Sequence, residues 1–226
     1  NEWKNDDEEG GKNLSEAVFL KHQLLSQKKD HLKWQYVKIT NNDDAKSLED
    51  NIHNYLNNDL TVIVYNFVDM LSHARTEMEV LKELAGDETS YRSLTVSWFE
   101  HSPLFGALKR IAEKDIQIII TTDHGTTKVK TPSKCIGDRQ TTTNLRYKHG
   151  KNLQFEAKDV LAFRDPTKAG LPRPNVSSTF IFAKEDVFLC YHNNYNHYVN
   201  YYRNTFQHGG ISLEEMIIPV VRLQSK

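Results

Sequence analysis

Cysteine is scarce in this 226-residue sequence, which has only Cys135 and Cys190. Neither their number nor their spacing supports a disulfide framework or a thiolate zinc site, and a reducing cytoplasm is the expected compartment. No apolar run approaches the ~20 residues needed to span a bilayer, and no charged-then-apolar leader opens the chain. A soluble protein with no membrane partner is therefore expected. An excess of one charge is also missing, because 29 Lys and Arg stand against 30 Asp and Glu. The global field then gives no strong nonspecific attraction to nucleic acid or membrane, and any phosphate affinity must come from a local site. No internal repeat occurs, which disfavours a solenoid.

What is present suffices for one substantial domain over residues 1–226, since domains commonly run ~100–200 residues. The chain opens on Asn1 rather than Met, and its first residues, including the carboxylate run Asp6 to Glu9, are polar. This stretch reads as a solvated segment of a longer protein.

Ser15 caps a predicted helix in which Val18, Leu20, Leu24 and Leu25 recur at helical spacing and which ends near Lys29. Trp34 to Thr40 alternates as a strand does, and Asp43 to Leu56 reads as a helix. The β-branched run Leu60 to Phe67 reads as a strand buried on both faces. A helix over Pro103 to Glu113 precedes a second predicted buried strand, Asp115 to Thr122. Lys128 to Arg173 is polar and weakly periodic, and reads as a long surface excursion. Ser178 to Ala183 and Val187 to Tyr191 are expected strands, Asn194 to Thr205 a Tyr-rich helix or irregular segment, and Met216 to Leu223 a closing strand. Strands separated by helices predict an α/β fold with a largely parallel central sheet flanked by helices. In such sheets ligands bind beyond the carboxyl ends of the strands, which nominates Asp69, Asp123 and their neighbours.

Asp69 and His73 stand one helical turn apart just beyond a predicted strand, so a carboxylate and an imidazole share a face. Thr121-Thr-Asp-His-Gly125 sets Asp123 and His124 at the end of the next apolar strand, where they can splay onto one divalent ion, with Gly125 allowing a close approach. Gln207-His-Gly-Gly210 adds His208 in a pliable backbone, directly before the helix-start signal Ser212-Leu-Glu-Glu215. Taken singly, each motif is equally at home as a surface pair, a turn or a solvated loop.

In this order the motifs resemble the alkaline phosphatase superfamily and its PglZ branch. The opening acidic segment and Cys135-Ile-Gly-Asp-Arg-Gln-Thr-Thr-Thr-Asn-Leu-Arg-Tyr-Lys148 are similar, more narrowly, to the PglZ-containing response regulators of the type IX secretion system. The resemblance implies an alkaline-phosphatase-like domain whose N-terminal part is missing from this sequence. It implies one zinc ion held by Asp69, His73 and His208, and a second to which Asp123 and His124 contribute. It also implies a Thr or Ser nucleophile upstream of the residues present, so no catalytic nucleophile is assigned, and this fragment alone is expected to be inactive. Mixed His and carboxylate donors suit zinc or manganese better than magnesium. Arg139, Arg146 and Lys148 are candidate substrate-binding residues, guanidinium being suited to bidentate phosphate contact, although a solvated basic loop would carry the same residues. His192 and His197 lie among tyrosines that are expected to pack a half-buried face.

The intact protein is then expected to be a cytoplasmic, zinc-dependent phosphodiesterase or phosphatase acting on phosphate esters such as nucleotides or oligonucleotides. As a two-component regulator it would have a sensor kinase and a sigma factor as partners, and a homodimer is possible. The alternative is a non-catalytic, metal-stabilised module that recruits a protein partner.

Overall fold

The computed structural model describes residues 15–224 except 69, 72, 73, 75–77, 85, 139 and 140. Asp69, His73 and Arg139 therefore lie outside the described residues, as does the acidic opening. The chain divides into two compact units, one of Asn1–Leu71, Asp87–Ile116 and Gln224–Lys226, the other of Ser72–Gly86 and Gln117–Leu223.

The first unit opens with α1 (Glu16–Ser26), β1 (Trp34–Ile39), α2 (Asn42–Asp50) and β2 (Leu60–Tyr65). β1 and β2 pair in parallel from Trp34 opposite Leu60 to Ile39 opposite Tyr65. Asn41 starts α2 by accepting a hydrogen bond from the Asp44 amide at 2.9 Å, which satisfies one of the orphan donors of the first turn. Ala45 and Leu48, three positions apart, are the buried residues of α2. The predicted helix to Leu56 instead ends at Asp50 and continues as a 3₁₀ turn, Ile52–Tyr55. Asn51 explains the break, since its side-chain amide donates to the Ser47 carbonyl at 2.9 Å and offers the chain a local alternative to the helix.

The helix α3 (Glu79–Leu84) belongs to the second unit, and the first resumes with α4 (Glu88–Glu100) and α5 (Pro103–Ala112). Ser102 and Pro103 form a favourable start for α5, the Ser102 hydroxyl accepting from the Phe105 amide at 3.2 Å. Arg110 near its other end donates to the Glu49 carbonyl at 2.7 Å and so ties α5 to α2.

In the second unit the strands are β3 (Ile118–Thr121), β4 (Thr127–Lys128), β5 (Thr131–Ile136), β6 (Tyr147–Lys151), β7 (Gln154–Phe155), β8 (Val160–Phe163), β9 (Ser178–Ala183) and β10 (Val187–Tyr191). After them come α6 (Tyr195–Tyr202), β11 (Phe206–Gln207), α7 (Leu213–Met216) and β12 (Val220–Leu223). β10 is buried on both faces: Val187 and Leu189 pack with Cys135, Val160, Ile181 and Ala183, whereas Phe188 and Cys190 pack with Val129, Leu145 and Val199. Alternation of successive side chains lets this one strand feed both apolar clusters.

Among the described residues the strands form small two- and three-stranded sheets of mixed direction. The expected largely parallel central sheet is met only in the parallel pairs β1–β2 and β10–β5. Two further expectations are corrected. β3 is apolar but not buried, Ile119 being 60 % exposed, because its partner β12 pairs with it edge to edge and covers neither face. The supposed surface excursion from Lys128 to Arg173 contains four complete strands, β5 to β8, and some of the most deeply buried side chains of the unit. No helix among the described residues is long and apolar enough to cross a membrane.

Candidate functional site

β3 delivers the Asp-His pair. After Thr121 the chain leaves the strand, and the Asp123 carboxylate accepts from the His124 amide at 3.1 Å, turning back on its own backbone as short acidic side chains do. The threonines on either side are engaged locally, the Thr121 hydroxyl donating to the Pro219 carbonyl at 2.8 Å and the Thr122 hydroxyl to the His124 carbonyl at 2.9 Å. The Asp123 side chain is 88 % exposed, so its carboxylate faces solvent.

His208 reaches the same place by a different route. Antiparallel pairing of β11 with β4 sets Gln207 opposite Thr127 and Phe206 opposite Lys128. The residue after β11 therefore lies beside the residues before β4. The His124 and His208 rings stack with centroids 4.1 Å apart and planes 9° from parallel. Gly209 adopts φ +101°, a backbone region that side-chain-bearing residues rarely occupy, and this turns the chain immediately after His208.

Both loops rest on the start of α7. The Gly125 amide donates to the Glu215 carbonyl at 3.0 Å. The Glu215 carboxylate accepts from the Gly210 amide at 2.9 Å and from the Ser212 amide at 3.0 Å. The same carboxylate is gripped by Arg146, whose Nε lies 2.8 Å from Oε1 and whose Nη2 lies 2.6 Å from Oε2, a bidentate fork. The remaining guanidinium protons go to backbone carbonyls of the β9–β10 turn, including Glu185 at 2.8 Å and Val187. Burial alone would push the Glu215 carboxyl up, but the Arg146 hydrogen bonds and charge, helped by the two amides, outweigh it and hold the carboxyl below its usual range.

Two expected substrate-binding residues are thus placed elsewhere. Arg146 and Lys148 are both 0 % exposed. The Lys148 ammonium donates to the carbonyls of Thr142 at 3.1 Å and Asn144 at 2.9 Å and lies over the Tyr191 ring, 4.3 Å from its centroid. Burial drives its pKa down to about 8. Both cations are consumed inside the unit, gathering carbonyls of loops, and neither presents a donor to a surface ligand. The capping-box spacing from Ser212 to Glu215 was visible in the sequence, but nothing there tied Glu215 to Arg146, 69 positions away.

Asp123 and His124 offer an adjacent carboxylate and imidazole, two donor types that a divalent cation accepts. His124 Nδ1 lies 3.1 Å from the Gly125 carbonyl, which can only accept, an arrangement that suits the tautomer with its proton on Nδ1 and its lone pair on Nε2. That Nε2 lies 3.8 Å from Asp123 Oδ1. Two donors of one tetrahedral zinc, each ~2.0–2.1 Å from the ion, stand about 3.3 Å apart, so a small side-chain rotation suffices. Among the described residues no group of three or more His, Cys, Asp or Glu is gathered as a metal cluster, and Asp69 and His73 lie outside them.

A family model described as "BREX system PglZ alkaline phosphatase-like domain" matches residues 3–223. No curated protein matches the chain.

Proposed function

Since the chain belongs to the PglZ family of alkaline-phosphatase-like domains, we propose that it is the metal-binding portion of a zinc-dependent phosphohydrolase acting on phosphodiesters, with nucleotides or oligonucleotides as the substrate class. The observation that carries this reading is the convergence of Asp123, His124 and His208 beyond the end of an apolar strand, from segments more than 80 positions apart. In this reading His124 and Asp123 hold one ion, and His208, with Asp69 and His73, holds a second. Zinc ions held there would supply Lewis-acid chemistry, polarising a phosphoryl oxygen and lowering the pKa of an attacking hydroxyl or water. The chain's own residues do the rest. The Gly125 carbonyl beside Nδ1 favours the His124 tautomer in which Nε2 is offered to a cation. The exposed Asp123 carboxylate supplies negative charge that offsets a cation. Thr121 and Thr122, whose hydroxyls are spent on backbone carbonyls, are not proposed as nucleophiles. Arg139 remains the proposed phosphate-contacting cation.

The family description points to the BREX system, whereas the likeness of the segment Cys135 to Lys148 points to response regulators of type IX secretion with a sensor kinase and a sigma factor as partners. The proposed chemistry is common to both settings. The test is hydrolysis of bis(p-nitrophenyl) phosphate by the full-length protein that carries this chain, with and without added zinc. Zinc-dependent turnover that Asp123→Ala abolishes in a folded protein supports the reading. Absence of turnover at any zinc concentration overturns it in favour of a non-catalytic regulatory module.

A further inference from the structure

The Arg146–Glu215 pair is the most deeply buried pair of opposite charges described, at 0 % and 1 % side-chain exposure. Removing two charges from water is expensive, and such pairs are a weak source of stability compared with apolar packing. Its placement points to another use. Glu215 contacts both candidate ligand loops through different atoms. Its carboxylate holds the amide of Gly210, two residues after His208, and its carbonyl holds the amide of Gly125, the residue after His124. Arg146 fixes that carboxylate in two dimensions and is itself anchored to the β9–β10 turn through the carbonyls of Ala183 at 3.2 Å, Glu185 at 2.8 Å and Val187. The Ile211 amide adds a bond to the Ala183 carbonyl at 2.9 Å. One residue thus contacts two loops whose imidazoles stack on each other.

We infer that Glu215, clamped by Arg146, is a positioning residue that fixes the separation of His124 and His208. The pairing of β4 with β11 is two residues long and is continued by bonds from the Val129 amide to the Thr205 carbonyl at 3.0 Å and from the Asn204 amide to the Val129 carbonyl at 2.7 Å, so it holds the strands, whereas Gly125, after His124, and Gly210, two residues after His208, are tied to Glu215 at α7. The inference deepens the proposed metal site, but its geometric core does not depend on that site.

The test uses the full chain without metal and with ZnCl₂. The Hε1 and Cε1 resonances of His124 and His208 are assigned by NMR and compared between wild type and Glu215→Gln, with His197, which packs on Tyr198 and Tyr201, as an internal reference. Loss of ring stacking shifts both resonances in Glu215→Gln and leaves His197 unmoved. Ile181→Val, at a buried position in the same unit packed with Cys135, Val160 and Leu189, serves as a control for general destabilisation and leaves all three resonances in place. Zinc affinity then falls roughly 10- to 100-fold in Glu215→Gln and is unchanged in Ile181→Val, the loss typical when a supporting group is removed. If Glu215→Gln does not fold, Ser212→Pro takes its place, because it deletes one amide donor to the carboxylate at a position whose φ of −70° suits proline. A smaller shift of the same two resonances is expected there. Unmoved His124 and His208 resonances in a folded variant, or equal shifts in the Ile181→Val control, overturn the inference. If wild type binds no zinc, the metal reading falls while the metal-free resonances still decide the positioning role.

Discussion

Replacing Gly125 by alanine puts a methyl carbon into the volume of the Glu214 carbonyl oxygen, with the Glu214 carbonyl carbon 3.1 Å away and the Glu215 Cα 3.6 Å away. These are backbone atoms at the capped start of α7, so no flexible side chain can swing aside. Nonbonded heavy atoms settle at ~3.5–4.0 Å, which requires the loop to withdraw by roughly 1.5 Å. That movement breaks the bond from the Gly125 amide to the Glu215 carbonyl, now 3.0 Å. Overpacking of this kind costs about 1–3 kcal/mol and the lost hydrogen bond about 1 kcal/mol, so a destabilisation of about 2–4 kcal/mol is expected. Backbone strain is not the source, because Gly125 is not among the positive-φ residues. Urea unfolding followed by circular dichroism measures the effect as a lowered midpoint with unchanged slope. A Gly125→Ala protein with the wild-type midpoint would refute the claim that the Asp123–His124 loop is pressed onto α7.

Arg146→Met leaves the Glu215 carboxylate buried without its partner, and a loss of about 3–5 kcal/mol is expected from the same urea measurement. For Glu215, whose carboxyl is held below its usual range, the stabilisation is present above the unfolded pKa of ~4.3 and lost as pH falls through the lower folded value, so Glu215→Gln flattens the acid limb of a stability-versus-pH curve. Lys148 behaves oppositely: its pKa of about 8 lies below the unfolded value of ~10.4, so the folded state binds fewer protons and its stability rises as pH climbs from 8 to about 10.4. Lys148→Met lacks that rise, which paired urea titrations at the two ends of the window detect, and it is less stable throughout because the carbonyls of Thr142 and Asn144 lose their donor.

Elements with a strong local signature were legible in the sequence. The runs at β1, β2, β9 and β10 and the Ser-Pro start of α5 fell within a residue or two of their predicted positions, because β-branched runs and caps act locally. The Asp-His-Gly and His-Gly-Gly motifs pointed to two loops that the structure does bring together, although ring stacking between His124 and His208 was not foreseeable from either motif. The stretch containing β5 to β8 was misread for a physical reason. Two of its strands are short, β7 with two residues and β8 with four, and its buried positions include Arg146, Lys148, Ser133, Thr141 and Thr142, so no period-two apolar pattern marks it. Arg146 is inside because residues remote in sequence, from Ala183 to Glu215, supply its acceptors, a condition that no local window contains, whereas Lys148 is taken up by the nearby carbonyls of Thr142 and Asn144, which no apolar pattern marks.

The proposed metal chemistry needs Asp123 and His124 on one ion and His208, with Asp69 and His73, on a second, and the most direct test is the zinc content of the purified full-length protein and of its His124→Ala, His208→Ala and His73→Ala variants after dialysis, measured by elemental analysis. The account predicts bound zinc in the wild type and a reduced content in each folded variant. A wild type without zinc, or variants that retain the wild-type content, would contradict it.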